Sequence, residues 1–331
     1  MIVEEVPKSS EVKVLSALEA IGLRRSIRWY NPAKPVEKWK IQAMLEAARL
    51  ASTVGNVCAT RAIVCYRDEN PEIWEYISDW SQITTQMAPV LIFWGYDMAA
   101  WDTQGQRIHD LMRVGALDRA HGWDYDRVAR MFPLPKILPD IILDRITAID
   151  LGNALQNAMV AATALGLATC LNGFGGAVRT VAELSKLLGA PRTFVLCWMM
   201  TVGYPLESME AGGQRPRMPF EEMFFERRWG KPFKKDERAT ELLKELGLLQ
   251  PEAPLPGRLR ELNVLTKAVG LGDEWLTDWA LEPSGCVKPG VIRDTRPRKL
   301  TKEELEKTLF GVTPTVLREK AREYLEKKGR R

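Results

Sequence analysis

"DLGNALQNAMVAATALGLATCLNGF", residues 150–174, decides how this chain folds. It is apolar on nearly every side and rich in alanine, so a helix there has no solvent face and belongs at the centre of a core. Gly166 stands where that helix should stop, because the left-handed residue that ends a helix is most easily a glycine. Asn153, Gln156, Asn157 and the shortness of the run speak against a membrane role. Its small residues would let another helix approach closely, as at a subunit interface.

Outward from this helix the chain alternates. "RAIVCY" (61–66) and "PVLIFWGY" (89–96) read as strands, and "FVLCWMMTVGYP" (194–205) as a fully buried strand closed by Gly203 and Pro205. Helices are expected in "EVKVLSALEAI", capped by Ser10 and stopped by Gly22, and in "VEKWKIQAMLEAARLA", whose Val36, Trp39, Met44, Leu45 and Ala48 fall near helical spacing. "TVAELSKLLG" opens on a capping box of Thr180 and Glu183. This alternation defines an α/β or α+β fold.

Residues 97–145, rich in Trp, Asp and Arg, form an excursion from the core. Beyond residue 231 the composition shifts to Lys, Glu and Leu, with helices expected at "ATELLKELG", at "PGRLRELNVLTKAVG" and after Thr313 and Pro314, and a capping box at Thr301 and Glu304. The organisation is a core over 1–230 followed by a helical extension over 231–331.

At 331 residues, 46% hydrophobic and 27% charged, the chain can bury a sizeable core. A net charge of +4 is small for that length and argues against a nucleic-acid partner. The mixed, acidic start "MIVEEVPKSSEVKV" lacks the look of a signal or transit peptide, and no apolar run reaches the ~20 residues of a membrane span, so a cytoplasmic protein is expected. Five scattered cysteines and two histidines support neither a disulfide framework nor a metal site.

Three separated stretches are rich in anion-binding groups: "RRSIR" (24–28), "STVGN" (52–56) and "GGQRPR" (212–217). Guanidiniums bind phosphate through paired donors, and loops from distant parts of a chain can converge on one phosphate at a sheet edge. "LNGFGG" (171–176) adds glycines that let backbone approach a ligand. Neither G-x-G-x-x-G nor a Walker A loop is present.

The order "RRSIRWY", "AARLASTVGN" with "RAIVCY", "DLGNALQNAMVAATALGLATCLNGF", "TVGYPLE" and "RPRMPFEEM" resembles the nitroreductase superfamily of FMN-dependent oxidoreductases over roughly residues 20–230. The resemblance implies an α+β fold with a central mixed or antiparallel sheet surrounded by helices, an intertwined homodimer and noncovalent FMN at the subunit interface. Carried over, Arg24, Ser26 and Arg28 contact phosphate, ribityl and pyrimidine edge, and Arg25 holds a neighbouring motif position. Asn56 meets N3 and O4. Gly173, after Asn172, turns its backbone N–H to N5, and Arg215 and Arg217 close on the phosphate. A cation near N1 and O2 and a donor at N5 suit a flavin that accepts electrons.

The implied activity is reduction of a small electrophile, such as a nitroaromatic, quinone or activated alkene, with NAD(P)H as donor. The chain departs from the family at "VCAT" (57–60), where many members carry Gln-Pro-Trp after the asparagine, and at Asn172, where bacterial nitroreductases commonly carry an acid. Residues 97–145 fall at the family's variable lid, with Trp101, Trp123 and Tyr125 as candidate stacking groups. Reductive dehalogenation, flavin breakdown or a biosynthetic dehydrogenation on the same flavin are alternatives. So is a flavin-holding protein that recruits a partner through its C-terminal helices.

Overall fold

Val90–Asp97 is the strand on which the two halves of the core are laid, because seven of its eight residues are buried. The structure, a computed structural model, describes residues 2–3, 5–78, 83–124, 128, 140–174, 178–207, 215 and 217–251. The strands are β1 (Ile2–Val3), β2 (Val36–Glu37), β3 (Thr60–Tyr66), β4 (Val90–Asp97), β5 (Ala168–Asn172) and β6 (Phe194–Gly203). The helices are α1 (Ala17–Leu23), α2 (Lys38–Arg49), α3 (Pro71–Ser78), α4 (Ile83–Met87), α5 (Gln104–Arg113), α6 (Asp140–Ala164), α7 (Val178–Leu187), α8 (Phe220–Met223) and α9 (Glu237–Glu245). β3, β4, β6 and β5 form one sheet in that order, antiparallel throughout, and β1 and β2 form a short parallel pair.

Alternation along β4 feeds two cores. Val90, Ile92, Trp94 and Tyr96 face one side with Met200 and Val202 of β6, under α2 and α6. Leu91 and Phe93 face the other with Leu196 and Met199, against Ile73 and Ile77 of α3 and Leu184 of α7. Each such side chain contributes about 1.5–3 kcal/mol on burial. A register shift between Trp94 and Gly95 pairs Gly95 with Leu196 and Trp94 with Trp198, so Cys197 is an extra residue in β6.

The 25-residue helix α6 carries the stretch that opened the sequence reading, with Leu151, Ala154, Leu155, Ala158 and Ala162 buried. Gly166 ends it at φ +75°, and the following "ATCLN" is strand rather than helix. Ser16, not Ser10, caps α1: Glu19 N–H donates to its hydroxyl at 3.2 Å, and Ser16 N–H donates back to the Glu19 carboxylate at 2.8 Å. Ser10 instead lies in a 3-10 turn, and Thr180 lies inside α7 rather than at its cap. β6 is not fully buried, since Val195 and Trp198 are more than one third exposed.

By its internal contacts the chain falls into two compact units, Met1–Asp273 and Glu274–Arg331. Within the first unit, the Gly247 carbonyl sits where a Cβ on Gly22 would be. The expected helices after residue 251, and all of the second unit, lie outside the described residues. Among the described residues no helix is long and apolar enough to cross a membrane.

Candidate functional site

The basic stretch follows directly from the end of α1 and turns along the outer edge of β5. Ser26 bridges Thr169 in parallel sense, and Ile27 N–H donates to the Thr169 carbonyl at 3.2 Å. Glu207, 2% exposed, then fixes the backbone: its Oε1 accepts from Arg28 N–H at 2.8 Å and Trp29 N–H at 3.0 Å. Leu206 N–H donates to the Trp29 carbonyl at 2.9 Å and Asn31 N–H to the Tyr204 carbonyl at 2.8 Å, so "TVGYPLE" runs beside "WYN". The Tyr30 hydroxyl, fully buried, donates to the Ile27 carbonyl at 2.6 Å. This loop is therefore held from both sides before any ligand is considered.

Onto that frame the chain gathers like charges. Arg24 is half-buried and Arg25 only 3% exposed. The Arg25 guanidinium caps α1 by donating to the Gly22 carbonyl at 2.5 Å and the Arg24 carbonyl at 3.0 Å. Burial holds the Arg24 guanidinium below its ordinary range, and the nearby charge of Arg217 lowers it further. Arg25 is lowered by burial and then by Arg215, Arg24 and Arg217. Four guanidiniums from distant parts of the sequence thus share one neighbourhood, where an anion would relieve the repulsion. Arg28 is exposed, its guanidinium donating to the Ser26 carbonyl at 3.3 Å.

Asn56 closes a single 3-10 turn, Val54–Asn56, and both it and Cys58 adopt positive φ, +55° and +52°. The central helix holds this turn in place. Asp150 Oδ2 accepts from Val54 N–H at 3.0 Å, Asn153 Nδ2 donates to the Ser52 carbonyl at 3.4 Å, and Asn157 Nδ2 donates to the Ala47 carbonyl at 3.1 Å. Asp150 and Asn153 are thus the helix's clamps on this loop, and Asn157 ties the helix to α2. Burial pushes the Asp150 carboxyl up, against the opposing pull of the Val54 bond. Cys58 Sγ donates to Asn56 Oδ1 at 3.3 Å, and α5, from the lid region, packs on the same turn.

Gly173 follows the last residue of β5 and is exposed. Among the described residues, a Cβ built on it meets only the Trp198 ring, at 3.8 Å, an ordinary van der Waals contact. Asn172 Nδ2 turns back to the Cys170 carbonyl at 3.1 Å. Ser26, Asn172 and Gly173 therefore lie along one sheet edge, and Arg24 and Arg25 meet Arg215 and Arg217. Asn56 is bonded within its own loop and not to these arginines.

Of the lid aromatics, Trp101 is packed in the core, 6% exposed, with Nε1 donating to Thr147 Oγ1 at 3.0 Å. Its ring is committed to packing rather than presented for stacking. Trp123 is half-buried in the turn closed by its N–H to the Asp118 carbonyl at 2.9 Å, and Tyr125 lies outside the described residues. Sequence reading missed Glu207 and Asp150. Their signals were the acid that ends "TVGYPLE" and the acid that heads the central apolar stretch.

A four-stranded antiparallel sheet wrapped by helices, with an arginine cluster at its β5 edge, defines an α+β protein with a strongly basic margin. A model of the nitroreductase family matches residues 21–204, more than half of the chain, and the chain belongs to that oxidoreductase family. It is similar to a protein from Exiguobacterium sibiricum, described as a nitroreductase and solved in complex with FMN: 21% identity, 64% of this chain, 97% of that one, TM-score 0.54. A protein from Staphylococcus epidermidis, described as an NAD(P)H:FMN oxidoreductase, shares 15% identity over 64% of this chain and 96% of its own, TM-score 0.50. At these identities the two likenesses establish the fold. No curated protein matches the chain.

Proposed function

We propose that the protein binds FMN at the β5 edge and passes electrons from NAD(P)H to a small electrophile in the cytoplasm. The observation that carries this reading is the gathering of Arg24, Arg25, Arg215 and Arg217 beside a strand that ends in an exposed glycine. The donor set fits a phosphate monoester. From Thr169, beside Ser26, to Gly173 the strand advances about 13 Å, at roughly 3.3 Å per residue. That is room for an extended mononucleotide between the arginines and the glycine.

In this arrangement Arg24, Arg215 and Arg217 bind the phosphate, with Arg25 adding charge from its capping position. Ser26 reaches the ribityl hydroxyls and Arg28 the pyrimidine edge. Asn56 donates and accepts at that edge from a turn preset by Asp150 and Asn153. The Gly173 N–H orients N5, and the missing side chain lets the ring approach. When bound, FMN supplies the electron-transfer chemistry; the chain binds, orients and shields. The exposed Leu50 (72%), Val54 (42%) and Ile149 (61%), around the loop and central helix, form an apolar surface suited to the second subunit of a homodimer.

Rapid mixing of the FMN-loaded protein with NADH and with NADPH tests the reading. Loss of the flavin's visible absorbance with at least one donor is expected. A loaded protein that neither donor bleaches contradicts the nicotinamide-driven reading.

A further inference from the structure

A further aromatic that could stack on a ligand lies on the sheet. Trp198 sits in β6, where the five residues after it, Met199 to Gly203, are all buried, yet its own ring is 39% exposed. Pairing explains where it points. Counting by two from Leu196 would place residue 198 on the face of Leu196, which packs with Phe93 and Met199. The bulge at Cys197 breaks that count and pairs Trp198 with Trp94 instead. Trp94 faces the core that also holds Val57 and Ala59, on either side of Cys58 in the Asn56 loop. The bulge thus turns the indole to the face of that loop, the kind of re-aiming that bulges commonly provide beside active sites.

The second observation is the position of the ring. Its Cζ3 is 3.8 Å from where a Cβ on Gly173 would stand, the nearest atom to that point among the described residues outside Gly173's chain neighbours. Across the strands its pairing partner is the buried Trp94, while Trp198 itself stays 39% exposed. An exposed aromatic face beside a glycine makes a flat slot. Such a slot favours planar, electron-poor rings over compact ions, because offset stacking adds attraction that a small ion does not gain.

We infer that Trp198 is the specificity-determining residue of the site, the wall against which a planar acceptor rests beside N5. The assignment rests on the FMN reading above. It takes over the part for which Trp101, now placed in the core, was a candidate.

The test uses the full chain as wild type, Trp198→Phe and Trp198→Leu, each loaded with FMN. The first readout is flavin absorbance after gel filtration, expected to be equal in all three. The second is tryptophan emission: FMN loading should quench wild type more than Trp198→Phe, the difference isolating this indole. The third is steady-state kinetics with 1,4-naphthoquinone and with ferricyanide. Trp198→Leu should raise KM for the quinone roughly three- to tenfold, the worth of one stacking contact, and raise it by a larger factor than KM for ferricyanide. Trp198→Phe should recover most of the quinone KM. Flavin retained in all three proteins, with unchanged quinone KM and equal quenching, overturns the assignment and leaves the FMN reading standing. No flavin in any of them overturns the FMN reading itself, and this inference with it.

Discussion

Arg24 is pressed by its own burial and by the charge of Arg217, so its guanidinium costs stability until an anion arrives. We expect Arg24→Ala and Arg217→Ala each to weaken FMN binding about tenfold to a hundredfold, from the ~1.5–3 kcal/mol of a charged hydrogen bond. Isothermal titration with FMN measures it, and neither variant should unfold. The cysteines give a second residue-scale contrast. Cys58 is exposed beside Asn56, whereas burial pushes the thiols of Cys65 and Cys197 from 9.0 up to about 11. At pH 8 a thiol reagent should therefore label Cys58 rapidly and Cys65 and Cys197 slowly. Loss of the fast phase in Cys58→Ser identifies it, and protection by FMN would place it beside the cofactor.

At the scale of elements, the loop that carries the arginines is only as firm as Glu207, which accepts two backbone N–H groups in a buried setting. Glu207→Ala leaves both without that acceptor and should cost about 2–6 kcal/mol, at ~1–3 kcal/mol per unsatisfied group, seen as a lower urea midpoint. FMN affinity should fall with it, since the loop would no longer be preset. Gly22→Ala drives a Cβ into the Gly247 carbonyl, and we expect about 1–3 kcal/mol of destabilisation, abolished if the chain from residue 235 onward is removed. These elements also show where sequence patterning was legible. The strand at 90–96 declares itself through a continuous apolar run, because burial on both faces leaves no polar position, and the edge strand at 61–66 through its β-branched Ile63 and Val64. The turn of Trp198 was hidden, because a bulge changes which face a residue meets without changing composition. Ser16 was legible but passed over: Glu19 three residues on completes a capping box, which Ser10, followed there by Lys13, lacks.

At the scale of the whole molecule, stability should fall with alkaline pH. Cys65 and Cys197 keep their protons to about pH 11 when folded but would lose them near 8.5 when unfolded, so the folded state binds more protons between those values. The sign is a loss of stability as pH rises through that window, and a falling melting temperature from about pH 8.5 upward checks it. The arginine cluster is likewise a property of the whole chain. Arg24 and Arg25 lie near the start of the family match and Arg215 and Arg217 beyond its end, and they meet only once the chain has folded. The motif order pointed to that meeting, but the polar clamps that ready the Asn56 turn could be assigned only after α6 was in position. The central claim is that this assembled edge holds FMN. The most direct measurement is the visible absorbance spectrum of the purified full-length protein, mixed with FMN and passed through gel filtration. Flavin bands that travel with the protein, at about one FMN per chain, are predicted; a protein that emerges colourless after mixing would contradict the account.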